Sequence, residues 1–218
     1  MSVEDDKERA EAPTPRRFTA EDARQKARQA QAKAEFILSR AYGLFRDPKL
    51  EWEQIRAEQT NVPSILLGYV APLAGWFSVC VLIGSLIFDR PAIDKALIGA
   101  VATFVVMTAL IALIGFIISA IAENFDADRD ELAAQKVAAY SFTPFFLSGV
   151  FWLWPPLIWL TFVAVGMSAF LLYRGLPPLM KTPPDRAAGF AASVCIAGLM
   201  AFVVAFVLVG CVTGMGRL

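Results

Sequence analysis

Asp126, Asp128, Asp130 and Glu131 crowd one short segment, a spacing that could present carboxylates to a divalent cation. An EF-hand calcium loop also needs a glycine at its sixth position and a closing glutamate at its twelfth, and neither is present. The group therefore reads as a solvated acidic loop. Cys80, Cys195 and Cys211 all fall inside apolar runs, where a thiol acts as a small packing residue. The chain has no histidine, which excludes imidazole metal sites, His-dependent triads and His pH switches. Phosphate-loop, dinucleotide-binding and zinc-protease motifs are absent too. No catalytic residue, metal ligand or cofactor follows from these residues, and nucleic acid is not an implied partner.

A different chemistry is open to Arg174, Lys181 and Arg186. They lie in segment 173–186 with Pro177, Pro178, Pro183 and Pro184, so three cations sit on what reads as a stiff loop. Each cation near an anionic bilayer surface gains about 1 kcal/mol. The functional reading is a loop that docks phospholipid headgroups or an acidic partner. The plain one is a rigid connector that carries positive charge because cytoplasmic loops generally do.

The elements that hold these residues follow from the distribution of charge. Before Asn61 lie 12 of the 20 basic and 12 of the 20 acidic residues, so a net charge of zero conceals two different polymers. Residues 1–60 suit water; residues 61–218 consist of long apolar runs separated by short charged loops. A bilayer core of roughly 30 Å needs about 20 helical residues. Runs at about 62–88, 96–122 and 187–214 meet that length and contain no Asp, Glu, Lys or Arg. Asn61 is placed as an N-cap with Pro63 in the first turn, and Pro72 should kink the first helix.

The run 137–173 is uncharged for 37 residues. As a single helix it would reach about 55 Å, far more than a bilayer core, so it must turn back once. Trp154, Pro155 and Pro156 mark the turn, flanked by Trp152 and Trp159 at an interfacial depth. Spans of about 137–154 and 156–174 result, with Lys136 expected to snorkel from the short first arm. The predicted class is all-α: a polytopic membrane protein with a five-span bundle and a charged N-terminal segment.

Arg46, Lys49, Arg56, Arg129, Lys136, Arg174, Lys181 and Arg186 fall on the N-terminal side of such a bundle, against Arg90, Lys95 and Arg217 on the other. That bias predicts a cytoplasmic N-terminus and a C-terminus on the opposite side. The first residues lack the apolar core of a cleavable signal, and Arg16-Arg17 lacks the apolar stretch of a twin-arginine signal.

Residues 1–17 are charged and proline-containing and are expected to be disordered. A helix is predicted over about 20–46, opened by Thr19 with Asp22 as a capping box and ended by Asp47-Pro48. Phe36, Ile37, Leu38, Tyr42, Leu44 and Phe45 give its second half an apolar surface. That surface fits either an interfacial or partner-binding arm or a helix packed on the ends of the spans. In the last run Gly189, Ser193, Ala197, Ala201 and Ala205 recur every four residues, and Gly210 with Gly214 adds a GxxxG step. Small residues at that spacing let helix backbones approach closely in lipid, within one chain or across a dimer.

Tyr140, Ser141, Thr143 and Pro144 open the third run as Tyr-Ser-x-Thr-Pro. Tyr173, Gly175, Leu176 and Pro177 follow as Tyr-x-Gly-Leu-Pro, and Lys181, Thr182, Pro183 and Asp185 as Lys-Thr-Pro-x-Asp. In spacing and order these motifs, with the Trp52-Glu53-Gln54-Ile55 element ahead of the first span, resemble the bacterial branch of the Yip (Ypt-interacting protein) membrane family over roughly residues 50–215. The resemblance implies a five-span bundle with a cytosolic N-terminus. Eukaryotic members bind Rab-class GTPases and one another in early secretory traffic. Their Asp-Leu-Tyr-Gly-Pro motif is missing here, so Rab binding does not carry over.

The functional expectation is a non-enzymatic organiser or adaptor of the bacterial inner membrane, interacting with anionic lipid, other membrane proteins or itself. The alternative is a small permease or export component. With no charged residue inside the spans, a proton-coupled carrier is disfavoured.

Overall fold

The computed structural model describes residues 20–213, with side chains over 21–211. Thr19, the expected disordered start and Gly214 lie outside the described residues. The chain divides into two compact units, Met1–Leu38 and Ser39–Leu218. The described part of the first is helical, and its side chains over 21–36 are exposed, as a sequence of good helix formers with few apolar residues requires.

Helix α1, Ala20–Arg46, runs from the first unit into the second. Helix α2, Pro48–Ala57, is capped by Asp47, whose carboxylate accepts from the Leu50 N–H at 3.2 Å. Its apolar side chains Trp52 and Ile55 are fully buried. Helix α3, Val62–Phe88, is capped by Asn61 through Ser64 N at 2.9 Å. Pro72 has no N–H for the carbonyl of Gly68, and α3 absorbs the loss in a wider π-turn over Leu66–Val70 before continuing. Helix α4 is Ile93–Ile121, extended by a 3-10 turn over Ala122–Phe125.

The next segment is broken into pieces: helix α5 Glu131–Ser141, helix α6 Thr143–Leu147 and a 3-10 stretch Ser148–Leu153. An extended Trp154 and a 3-10 turn Pro155–Leu157 follow, where the two prolines were expected to reverse the chain. Helix α7, Leu160–Met180, and helix α8, Pro184–Thr213, complete the bundle. Among the described residues every element is helical. Four helices are long and apolar enough to cross a membrane: Val62–Phe88, Ile93–Phe125, Pro155–Met180 and Pro184–Cys211.

Their exposed faces carry large apolar side chains such as Phe116, Phe162 and Phe206, the pattern of helices solvated by lipid. The broken segment lies instead in the interior, with every residue from Ala133 to Ser141 buried. It runs in step with α3. Tyr69 meets Tyr140 and Thr143; Phe77 stacks on Phe145 at 5.2 Å; Gly84 abuts Trp152. Residue numbers rise together along both strands of this contact, so the two segments are parallel. Helix α8 runs the other way along α4, since Phe190 stacks on Phe125 at 4.9 Å while Gly198 approaches Ile114.

Candidate functional site

The ion pairs of Arg40, Lys181 and Arg186 and the hydrogen bonds of Lys136 and Tyr140 gather at the end of the bundle where α2 lies. Proline at 144 deprives the Tyr140 carbonyl of its ordinary helical donor. The Thr143 hydroxyl donates to that carbonyl instead, at 2.8 Å. With its proton so used, Thr143 can only accept from Tyr69, whose phenol lies 2.8 Å away. The two tyrosine rings lie 4.5 Å apart, and the Tyr140 hydroxyl donates to Glu58 at 3.3 Å. Thr143→Val, which keeps the shape but removes the hydroxyl, is expected to destabilise the bundle by about 2 kcal/mol while Thr143→Ser is tolerated. Thermal unfolding in detergent measures the difference.

Arg40, in the last part of α1, closes the same cluster. Its guanidinium bonds Glu51 at 2.7 Å and Glu58 at 2.8 Å and lies 5.5 Å from the centre of the Tyr140 ring. Fork geometry and partial burial make these ion pairs stronger than exposed ones. Lys136 does not snorkel. It is buried and donates to the carbonyls of Ile55 at 2.8 Å and Glu58 at 2.6 Å. These carbonyls lie at the C-terminal end of α2, where Ile55 O accepts only a long 3.3 Å bond from the Glu58 N–H and a cation is favoured. A lysine on the edge of an apolar run thus reaches inward because a docked helix end supplies acceptors that the sequence does not announce.

Some of the motif residues, Tyr140, Thr143 and Gly175 among them, serve this junction. Gly175 of α7 is where the Trp52 ring lands: a Cβ there would meet the ring at 2.6 Å. Leu176 is fully buried beside it. Ser141 is buried with no partner for its hydroxyl, and so is the indole N–H of Trp52. Segment 173–186 is not one loop. Helix α7 continues through Pro177 and Pro178 to Met180, because the prolines fall near its end and the carbonyls they strand, those of Tyr173 and Arg174, belong to exposed residues.

The helix stops at Lys181, which takes a left-handed φ of 51°. Lys181 pairs with Asp128 at 2.6 Å and Arg186 with Asp126 at 3.0 Å. The hydrogen bond to Asp128 raises the Lys181 pKa. Asp128 N–H also donates to Met180 O at 2.8 Å, and Asp130 caps α5 through Ala133 N at 3.0 Å. The acidic segment is therefore spent on fastening neighbouring connections. Thr182 is buried near Leu176 O, whereas Tyr173, Arg174 and Asp185 are exposed, Asp185 in the first turn of α8. Arg174 rests over Phe170 at 5.8 Å.

On α8, Ala205 is buried, Ser193, Ala197 and Ala201 are half-buried, and a Cβ on Gly189 would lie 3.4 Å from the Phe125 ring. A Cβ on Gly210 would meet no neighbouring atom.

Long lipid-facing helices closed at one end by a polar junction define a polytopic integral membrane protein of the helical-bundle class. The chain belongs to the Yip1 domain family, whose model matches residues 42–205. The match covers α2, α3 and the motif residues that build the junction. The chain is 28% identical over 193 residues to "Inner membrane protein YohC" of Escherichia coli strain K12, which covers 82% of this chain and 98% of that protein. The protein of the same name from Escherichia coli O6:H1 strain CFT073 matches with the same figures. No solved structure matches the chain.

Proposed function

We propose that the protein is a non-enzymatic organiser or adaptor of the bacterial inner membrane, built on five spans with a cytoplasmic N-terminus and a C-terminus on the opposite side. The observation that carries this reading is that the ion pairs of Arg40, Lys181 and Arg186 lie at one end and fasten α2 and the acidic segment to the helices. That produces a fixed surface rather than a polar route through the bundle.

The five-span count is supported by the parallel course of segment 131–153 along α3, from Tyr69 and Tyr140 at one end to Gly84 and Trp152 at the other. The fifteen residues from Tyr69 to Gly84 correspond to about 22 Å of helix, most of a hydrocarbon core. The inner-membrane location is supported by the printed name of the two Escherichia coli relatives. The orientation is supported by the excess of lysine and arginine at the α2 end.

As an adaptor it binds lipids, other membrane proteins or itself through the surface formed by α2, the end of α7 and the start of α8. Crosslinking in native membranes followed by mass spectrometry tests this. Reproducible crosslinks from residues such as Lys49 and Lys181 to particular membrane proteins or lipids support it. Crosslinks confined to the chain itself, together with substrate flux in reconstituted vesicles, would replace it with a permease.

A further inference from the structure

The surface formed by α2, α7 and α8 sorts its cations into two kinds. Lys181 and Arg186 are occupied by Asp128 and Asp126. Lys49 and Arg174 are exposed, and among the described residues neither is paired with a carboxylate. Together with Trp52, Tyr173, Pro177 and Pro178 they line an open cavity of about 540 Å³. Glu53 also stands on its wall, but its charge is met by Arg56 at 2.9 Å.

Depth favours a lipid in this cavity. Arg174 is the first charged residue after the uncharged run 137–173, which puts it where hydrocarbon gives way to headgroups. Its guanidinium sits over Phe170, which is 45% exposed, and Val163, two turns earlier on the same face, is 62% exposed. An apolar ridge thus leads up to a cation. Hydrogen-bonding capacity is also left over, since Pro177 and Pro178 have no N–H for the carbonyls of exposed Tyr173 and Arg174.

We propose that this cavity binds the headgroup of an anionic glycerophospholipid bearing free hydroxyls, the phosphatidylglycerol class. The phosphate lies between Lys49 and Arg174, headgroup hydroxyls donate to the carbonyls freed by the two prolines, and an acyl chain follows Phe170 and Val163. A zwitterionic choline headgroup has no hydroxyl to donate and carries no net charge. This assignment rests on the lipid- and protein-binding reading above and narrows it to one site.

The full chain, reconstituted in nanodiscs of phosphatidylcholine with a minority of phosphatidylglycerol, is released and its retained lipids are counted by native mass spectrometry. Wild-type protein is expected to retain phosphatidylglycerol in preference to phosphatidylcholine. Lys49→Ala/Arg174→Ala lowers that retention about tenfold or more, as the loss of two surface cations implies. Arg90→Ala/Lys95→Ala, two exposed cations away from this surface, leaves it unchanged, and so does excess glycerol phosphate in solution. Both target residues are exposed, so unfolding should be unaltered; Lys49→Gln/Arg174→Gln serves as a second variant if the alanine pair does not accumulate.

Unchanged retention in either Lys49/Arg174 variant overturns the site. An equal loss in Arg90→Ala/Lys95→Ala overturns it, since retention would then follow net charge and not this cavity. Equal retention of the two lipids by wild-type protein overturns the site and the anionic-lipid reading together. Displacement by glycerol phosphate overturns the lipid assignment in favour of a soluble phosphate ester.

Discussion

Lys136→Met is expected to cost about 3 kcal/mol of stability and to release α2 from the bundle, the sum of two charge-assisted hydrogen bonds to groups that stay behind. Replacing a buried ion by an apolar side chain of similar size is often harmless when its partner is replaced as well. Here that escape is closed. The partners are the backbone carbonyls of Ile55 and Glu58, which no substitution removes; Glu58 O would lose the ammonium and Ile55 O would keep only the 3.3 Å bond from the Glu58 N–H. Because α2 is also held by Trp52 against Gly175 and by the Arg40 pairs to Glu51 and Glu58, it should loosen before the rest unfolds. Limited proteolysis between α2 and α3 should therefore accelerate in the variant at temperatures where the spans remain intact. A variant as stable and as resistant to protease as wild type would show that the ammonium contributes nothing to docking.

Gly84→Leu is expected to be more damaging still, with at least about 4 kcal/mol lost or no folded protein accumulating. A Cβ at this position would fall on the carbonyl oxygen of Trp152 and 3.0 Å from its carbon. Those are backbone atoms of a segment already pinned by Gly149, whose own Cβ would come within 3.0 Å of the Phe77 Cα. Neither chain can retreat by rotating a side chain. Gly166→Ala on α7 is the matched control, since a Cβ there meets nothing within 4 Å. It should be neutral or stabilise by up to about 1 kcal/mol through helix propensity. Folding yields in membranes and thermal unfolding in detergent rank the two.

Much of this architecture can be read from the residues. Absence of charge over 62–88 and 96–122 marks long apolar helices, and Trp154-Pro155-Pro156 marks the break ahead of the helix through Met180, because apolar length and lost backbone donors act locally. The Tyr-Ser-x-Thr-Pro and Tyr-x-Gly-Leu motifs identify the family, and the match over residues 42–205 confirms it.

What escapes the sequence is whatever depends on a partner far away in the chain. Lys136 sits 81 residues from Ile55, so nothing local distinguishes an inward lysine from one that snorkels. Pro177 and Pro178 look like a loop, yet they lie in the last turn of a helix, and the carbonyls they leave without donors belong to exposed Tyr173 and Arg174. Lys181 and Arg186 look like free cations until the acidic segment, more than fifty residues earlier, is seen folded against them. The segment 131–153 is the subtlest case. Its break at Phe142 and its 3-10 end interrupt helical continuity, yet it stays packed along α3 from Tyr140 to Trp152.

That segment decides the topology, and the topology is what everything else depends on. Tagging each end of the chain with a reporter whose signal depends on the side of the membrane measures it directly. With segment 131–153 as a full crossing, reporters after Leu218 and before Met1 report opposite sides, the N-terminal one cytoplasmic. Both reporters on the same side would mean that the chain crosses an even number of times, and the five-span account would be wrong.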